Sequence, residues 1–180
     1  VTVIQAGPCT VTQVKTLDND GYNAVQIGFS EVKKINSPQS GHQERSGGKF
    51  STLQEFEVEN LDEIEVGQSI TSNIFVDQKS VKVTSTTKGK GFSGGVKRYG
   101  FKGGPKTHGQ SDRHRAVGSI GAGSSPGRVW PGTKMPGQYG NKTATVKGLK
   151  VVKVDVKENI LLLRGAVPGF SGATVRVEIQ

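Results

Sequence analysis

Cysteine is nearly absent: the 180 residues contain one, Cys9, so no disulfide can form within the chain. A single thiol is typical of proteins in a reducing compartment. Because Cys9 stands where apolar and polar residues alternate, a buried structural thiol is favoured over a nucleophile. There are also only three histidines, and none has the spacing of zinc ligands. We therefore expect no catalytic residue, no metal site and no cofactor.

Long apolar runs are missing as well. No stretch of about 18 apolar residues exists, so the sequence predicts no transmembrane helix and no membrane partner. The chain does not open with a basic segment followed by a long apolar one, and we expect no signal peptide.

Acidic residues are almost missing from residues 85–148, which we call the basic extension. Its single acid is Asp112, against 12 Lys and Arg residues, so the extension has a net charge of +11. The rest of the chain has 12 Lys and Arg against 14 Asp and Glu, a net −2, so the extension accounts for all of the chain's charge of +9. Such a surplus favours a polyanionic partner such as RNA or DNA.

The basic extension is also poor in apolar side chains and rich in glycine. Only 14 of its 64 residues are hydrophobic, and it contains 16 of the 26 glycines. Ordering each residue costs roughly 1–2 kcal/mol of backbone entropy. So few apolar groups cannot offset that cost by burial. Either the extension is disordered, or contacts to phosphates outside the chain order it.

On both sides of the basic extension, most segments alternate in the manner of β-strands, and Ile160–Arg164 is a candidate for a buried strand. Strands are predicted at Val1–Ile4, Cys9–Thr16, Tyr22–Phe29, Ser69–Phe75, Ser80–Ser85, Leu149–Val156, Ile160–Arg164 and Thr174–Ile179. Other predictions are a turn at Asp18–Gly21, a loop at 36–48, a helical turn in Lys49–Phe56 and a turn or short helix at Leu61–Val66. The pattern predicts a mainly β chain. Its body, residues 1–84 and 149–180, would be a small barrel, with the long, largely irregular extension inserted between two strands.

The basic extension begins with a glycine-rich segment. Gly89, Gly91, Gly94 and Val96 spell G-x-G-x-x-G-x-V, which also occurs in kinases. The other kinase motifs do not follow, and no Walker A sequence is present. Glycines that allow a close approach to phosphate, with lysines between them, explain the segment better. The alternatives are a free architectural nucleic-acid-binding protein and a nucleotide-binding enzyme that uses Gly89–Gly94.

Longer motifs occur in a fixed order through most of the chain. They are Pro8–Val11, Ala24–Phe29, Glu55-Phe56, Val66–Gln68, Val83–Arg98 with K-G-K-G-F-x-G-x-x-K-R, His108-Gly109, Gly118–Gly121, Pro126–Val129, Lys134–Asn141 and Gly165–Gly169. Together they resemble the bacterial form of the family of large-subunit ribosomal protein three. The family usually has an acid where this chain has Lys82, and Trp130 and Pro131 occupy a variable position.

The resemblance implies a structural ribosomal protein with a translation-type β-barrel, bound to large-subunit rRNA and active in early subunit assembly. It also implies that the long loop approaches the peptidyl transferase centre, with Arg128–Asn141 at its tip. Gln138 matches a glutamine that is methylated in some bacterial relatives. The implied neighbours are large-subunit proteins fourteen and nineteen, and no small-molecule substrate is implied. The implied location is the bacterial cytoplasmic ribosome, with an organellar ribosome as the alternative.

The predicted rRNA contacts are cationic, aromatic and amide side chains of the basic extension. Cations neutralise phosphates, and aromatic rings can stack on unpaired bases. The predicted rRNA-binding residues are Lys88, Lys90, Lys97, Arg98, Lys102, Lys106, His108, Arg113, His114, Arg115, Arg128, Trp130, Lys134, Gln138, Asn141 and Lys142. For Phe92, Tyr99 and Phe101, packing together as a small cluster at the root of the extension is an equally good explanation.

Overall fold

The structure, a computed structural model, describes residues 1–61 and 64–179. The chain divides into two compact units. Unit 1 comprises Val1–Val83, Val146–Val167 and Val177–Gln180, and unit 2 comprises Thr84–Thr145 and Pro168–Arg176. The assignment of residues 85–148 as a separate functional domain remains a prediction.

Eleven strands and a few short helices make up the described part of the chain. The strands are β1 (Thr2–Gln5), β2 (Cys9–Lys15), β3 (Ala24–Glu31), β4 (Phe50–Glu57), β5 (Ser69–Ile70), β6 (Ser80–Thr86), β7 (Phe92–Ser93), β8 (Gly137–Gln138), β9 (Thr143–Asp155), β10 (Ile160–Arg164) and β11 (Arg176–Ile179). The helices are α1 (Leu17–Asp20), α2 (Ser37–Gln43) and α3 (Gly95–Tyr99), with 3-10 turns at Glu44–Ser46 and Ser72–Phe75. None of the helices in residues 1–61 and 64–179 is long and apolar enough to cross a membrane.

The predicted mainly β class is confirmed, with strands in sheets of five, four and two. Their orders are β1-β10-β9-β6-β11, β4-β3-β2-β5 and β7-β8. The expected closed barrel is not seen among the described residues. A barrel needs continuous hydrogen bonding around a ring of strands. β2 pairs with β3 over most of its length, but on its other side only Cys9 and Thr10 pair with β5.

The core of unit 1 follows from the alternation in β6 and β10. Val81 and Val83 in β6 and Leu161 and Leu163 in β10 are fully buried. Successive side chains of a strand point to opposite faces, so each strand places every second residue in the core. Both strands were predicted from sequence: Ser80–Ser85 from its alternating residues, and Ile160–Arg164, whose first four residues are all apolar, as a candidate for a buried strand.

The turn between β2 and β3 also follows from sequence. The Asp18–Gly21 segment forms α1 and its cap. Gly21 has φ 81° and donates its N–H to the carbonyl oxygen of Leu17 at 3.0 Å. Glycine adopts this left-handed backbone without a steric penalty, so it ends the helical turn and lets the chain reverse.

Several local predictions were wrong. The expected helical turn in Lys49–Phe56 is strand β4, because this segment pairs with β3 from Glu57 opposite Ala24 to Phe50 opposite Glu31. The expected loop at 36–48 contains α2, whose start is a capping box between Asn36 and Gln39. The strand predicted at Ser69–Phe75 ends at Ile70. In the predicted turn at Leu61–Val66, residues 62 and 63 lie outside the described residues.

Cys9 lies in β2 and is half-buried, less than the sequence suggested. Burial raises the pKa of its thiol. A raised pKa disfavours the thiolate, which is the nucleophilic form. The environment therefore fits a structural thiol.

Candidate nucleic-acid interface

Within unit 2, residues 84–93 and 137–145 run antiparallel as two limbs that are joined at successive levels, and we call this pair of limbs the ribbon. The joined pairs are Thr84 with Thr145, Thr87 with Lys142, Lys90 with Tyr139, and Phe92 with Gln138. The hydroxyls of the first pair are 2.9 Å apart, and the backbone N–H groups of Thr87 and Lys90 donate to their partners' carbonyl oxygens at 2.9 and 2.8 Å. These backbone groups are satisfied within the ribbon, so the side chains remain available for a partner.

One glycine makes the close approach of the limbs possible. Gly140 has φ 71°, and a Cβ atom built there would collide with the carbonyl oxygen of Lys88. Any other residue would meet both the strained backbone and the clash. The packing of the ribbon therefore requires glycine at position 140.

Arg98 is held inside unit 2. It is half-buried, and its Nη1 donates a hydrogen bond to the carbonyl oxygen of Met135 at 2.7 Å. Its guanidinium carbon lies 5.0 Å from the centre of the Tyr99 ring. A Cβ atom at position 137 would come within 2.7 Å of Nη1, so Gly137 leaves room for the guanidinium. Arg98 thus joins α3 to the segment before β8.

Other cations of the basic extension lie over aromatic rings. The Nζ of Lys90 is 4.6 Å from the Tyr139 ring centre, and the guanidinium carbon of Arg128 is 4.5 Å from that of Trp130. Cation–π contacts of this kind restrain a charged side chain and leave the rest of its donors free. Each pair therefore presents a positive group beside a flat ring.

The expected cluster of Phe92, Tyr99 and Phe101 forms only in part. The rings of Tyr99 and Phe101 have centres 6.0 Å apart and an interplanar angle of 31°. Phe92, by contrast, is 81% exposed. Its position opposite Gln138 in the β7–β8 pair explains this, because both side chains project from a ribbon of only two strands.

Most of the predicted rRNA-binding side chains are on the surface. Of the sixteen, fourteen are exposed, and Arg98 and His114 are half-buried. Within residues 1–61 and 64–179, ion pairs join Lys15 to Glu55 and Lys82 to Glu178. Neither pair uses a cation of the basic extension. The charge that the sequence places there is not neutralised by the chain itself.

The predicted tip, Arg128–Asn141, has two parts. Residues 130–133 form a turn in which the Thr133 hydroxyl donates to the carbonyl oxygen of Trp130 at 2.7 Å. Pro131 and Gly132 occupy the central positions, and Gly132 has φ 81°, as a type II turn requires. Residues 137–141, which include Gln138, instead belong to the paired ribbon.

His108, Arg113, His114 and Arg115 form a basic cluster, in which His114 braces two backbone segments. The Nδ1 of His114 is 3.0 Å from the carbonyl oxygen of Pro105, and the Gly104 N–H donates to the His114 carbonyl oxygen at 2.9 Å. These contacts hold residues 104–105 against 113–114, while His108 and Arg113 stay exposed. Among the described residues, no group of three or more His, Cys, Asp or Glu side chains could hold a metal.

A cavity of about 470 Å³ lies beside this brace. It is lined by Phe101, Lys102, Gly103, Gly104, Gln110, Arg113, Ala116, Val117 and Gly118. Gln110 and Val117 are not among the residues predicted from sequence to bind rRNA. Neither residue is part of a local pattern of charge or periodicity, and the pairing of 104–105 with 113–114 is what brings them together.

Comparisons with known proteins agree on one family. A family model described as Ribosomal protein L3 matches residues 29–160. The chain is 49% identical over 178 residues to "Large ribosomal subunit protein uL3" of Thermosipho africanus, covering 98% of this chain and 86% of that one. It is 50% identical over 178 residues to the protein of the same name from Thermotoga petrophila, with the same coverage. It is 48% identical over 180 residues to "Large ribosomal subunit protein uL3c" of Porphyra purpurea, covering 98% and 87%.

Proposed function

Because the chain belongs to the ribosomal protein L3 family, it is a structural component of the large ribosomal subunit, and we propose that its basic extension carries the rRNA-binding surface. Family membership also resolves the alternatives that composition left open. The protein is neither a nucleotide-binding enzyme nor a free architectural protein, and it associates with large-subunit rRNA and ribosomal proteins. Bacterial proteins of this type belong to the cytoplasmic ribosome.

The observation that carries the proposal is the free charge of the basic extension. Its Lys and Arg side chains are mostly exposed, and none forms an ion pair within the described part of the chain. Each such cation that meets a phosphate releases counterions from the RNA, which favours binding. The predicted contacts, Lys88 through Lys142, are therefore proposed to position the protein on rRNA without catalysing a reaction.

The finer features of the proposal concern the protein's place in the subunit. The extension would approach the peptidyl transferase centre and hold the surrounding rRNA in shape, and the protein would act early in subunit assembly. Its neighbours would be large-subunit proteins fourteen and nineteen. Cross-linking of intact subunits, followed by mass spectrometry of peptides that contain residues 85–148, would test these neighbours directly. Cross-links only to other proteins would contradict them.

Gln138 is the proposed methylation site. Its side chain is exposed in β8, as a modifying enzyme would require. Mass spectrometry of the peptide that spans Lys134–Lys142, taken from the native protein, would show the mass of one added methyl group on Gln138. A fully unmodified peptide from native subunits would contradict the assignment.

The salt dependence of binding tests the electrostatic part of the proposal. If about six cations contact phosphates, log affinity for large-subunit rRNA should fall with log salt at a slope of about −5. Replacing Lys88, Lys90 and Lys142 by Ala should flatten that slope by about 2–3.

The matched control replaces Lys33, Lys34 and Lys49 by Ala, because these three lysines are exposed and lie in unit 1. That variant should keep the wild-type slope. A wild-type slope near zero, or equal slopes for the two triple variants, would show that the basic extension does not carry the binding.

A further inference from the structure

We propose that the cavity beside the His114 brace binds one unpaired nucleotide of the large-subunit rRNA. This inference rests on the proposed rRNA-binding function. The base would lie against Phe101 and Val117, and Gln110 would contact its edge. The cavity lies wholly within unit 2, and its volume of about 470 Å³ is within the usual range for small-molecule sites.

The floor of the cavity is apolar and well supported. An added Cβ atom at Gly95, which is buried in α3, would come within 3.0 Å of the Phe101 ring and 3.1 Å of Val117. The Tyr99 ring also packs against Phe101, and the two ring centres are 6.0 Å apart. Phe101 is therefore fixed in place before any ligand arrives. A fixed aromatic ring is the usual platform for an unstacked base.

Gln110 supplies a polar group with no protein partner. In the described part of the chain, its side-chain amide makes no hydrogen bond, although the side chain is half-buried. It lies over Gly104, where an added Cβ atom would come within 3.1 Å of Nε2. An amide has two donors and an acceptor, which can pair with the edge of a base. A single such group in an apolar cavity sets the orientation of a ligand.

The charged residues of the lining are both positive. Lys102 and Arg113 line the cavity and are exposed, so they can reach the phosphate attached to a bound base. Arginine in particular pairs with phosphate through two parallel hydrogen bonds. An apolar floor, one amide and two cations match the three parts of a nucleotide better than they match a purely apolar or cationic ligand.

Base-specific chemical probing at single-nucleotide resolution tests the proposal. The full chain would be bound to complete large-subunit rRNA and compared with Gln110→Ala and with Phe101→Leu, which keeps apolar bulk but removes the ring. We expect one unpaired base that is protected by the wild-type protein to become about fivefold more reactive in both variants, with the other protections unchanged. Gln54→Ala, which changes an exposed glutamine of β4, is the control and should leave that base protected.

The outcomes separate this proposal from the proposed function. Identical protection patterns for wild type, Gln110→Ala and Phe101→Leu would overturn the nucleotide site while rRNA binding stands. Loss of every protection in Gln110→Ala would also overturn it, since Gln110 would then act on the fold of unit 2. Absence of any protection by the wild-type protein would instead contradict the proposed function itself.

Discussion

Arg98 donates a hydrogen bond from Nη1 to the backbone carbonyl oxygen of Met135 at 2.7 Å, across 37 positions of sequence. This contact joins α3 to the segment before β8, and it uses a side chain that the charge pattern assigns to RNA. The cations of the basic extension are therefore not equivalent. Some are free to contact phosphate, whereas Arg98 also holds together two of the segments that carry the other cations.

Replacing Arg98 by Ala should loosen the contact between α3 and residues 135–137. A partly buried, charge-assisted hydrogen bond contributes about 1–2 kcal/mol, so the amide hydrogens of Met135 and Gly137 should exchange about ten times faster or more. Hydrogen exchange followed by mass spectrometry measures this. Lys97→Ala is the control, because Lys97 is an exposed cation of the same helix, and it should leave the exchange unchanged. Equal exchange in the two variants would show that Arg98 has no structural role.

Gly140→Ala should destabilise the ribbon more than Gly132→Ala does. Both glycines have positive φ, 71° and 81°, so an alanine is strained at either position. Only at Gly140 would the new Cβ atom also collide with the Lys88 carbonyl oxygen, whereas nothing lies within 4 Å at Gly132. The backbone strain costs about 1–2 kcal/mol in each variant, and the clash adds to it at Gly140. Thermal unfolding of both variants would measure the difference, and a larger effect at Gly132 would contradict the ribbon geometry.

Leu161→Ala should lower the free energy of unfolding by about 2–5 kcal/mol. Leu161 in β10 is fully buried, so truncation removes apolar contacts and leaves a cavity in the core of unit 1. Val3→Ala is the matched control, since Val3 in β1 is 62% exposed, and its effect should stay within about 0.5 kcal/mol. Denaturant unfolding followed by circular dichroism gives both values. A small effect at Leu161 would mean that β10 does not form the core.

Stability in acid should depend on Glu55. Its carboxylate accepts from the Lys15 ammonium at 3.1 Å and from the Tyr22 hydroxyl at 3.0 Å, and these hydrogen bonds lower the pKa of Glu55 below its ordinary value of 4.5. A lowered pKa gives stability that is present above the ordinary value and is lost as the pH falls through the folded value.

Lys15 donates a hydrogen bond to the Tyr22 hydroxyl at 2.9 Å and another to Glu55, and these contacts raise the pKa of Lys15, so the contribution of the lysine is complete at neutral pH and is lost only in strong base. The free-energy difference between wild type and Glu55→Gln should therefore be constant near neutral pH and shrink below a pH of about 4.5. Denaturant unfolding across that range checks this. A difference that grows in acid would contradict the direction of the pKa shift.

Several features of the fold could be predicted because they depend on local sequence. Alternation placed β6 correctly, the apolar segment Ile160–Leu163 placed β10, and the Asp18–Gly21 turn ended at a glycine with positive φ. The segment Lys49–Phe56 could not be predicted in this way. Its partner residues in β3 lie 19 to 33 positions earlier, from the Glu31–Phe50 pair to the Ala24–Glu57 pair, and this pairing determines its structure.

The candidate site shows the same division. Sequence identified the exposed cations, since charge needs no knowledge of neighbours. It could not identify Gln110 and Val117, whose place in the cavity depends on the brace between residues 104–105 and 113–114.

The sequence by itself determined the mainly β class, the family and the separation of charge that places the net +9 in residues 85–148. These properties are sums over residues or patterns of near neighbours, so they can be counted along the chain. Only the tertiary structure decided that Arg98 is an internal brace, that Gly140 must be glycine, and that β4 and β5 form the two edges of the four-stranded sheet among the described residues. Each of these depends on a contact between segments that are distant in sequence. Hydrogen bonds and close packing depend on the atoms that folding brings together, and these cannot be counted along the chain.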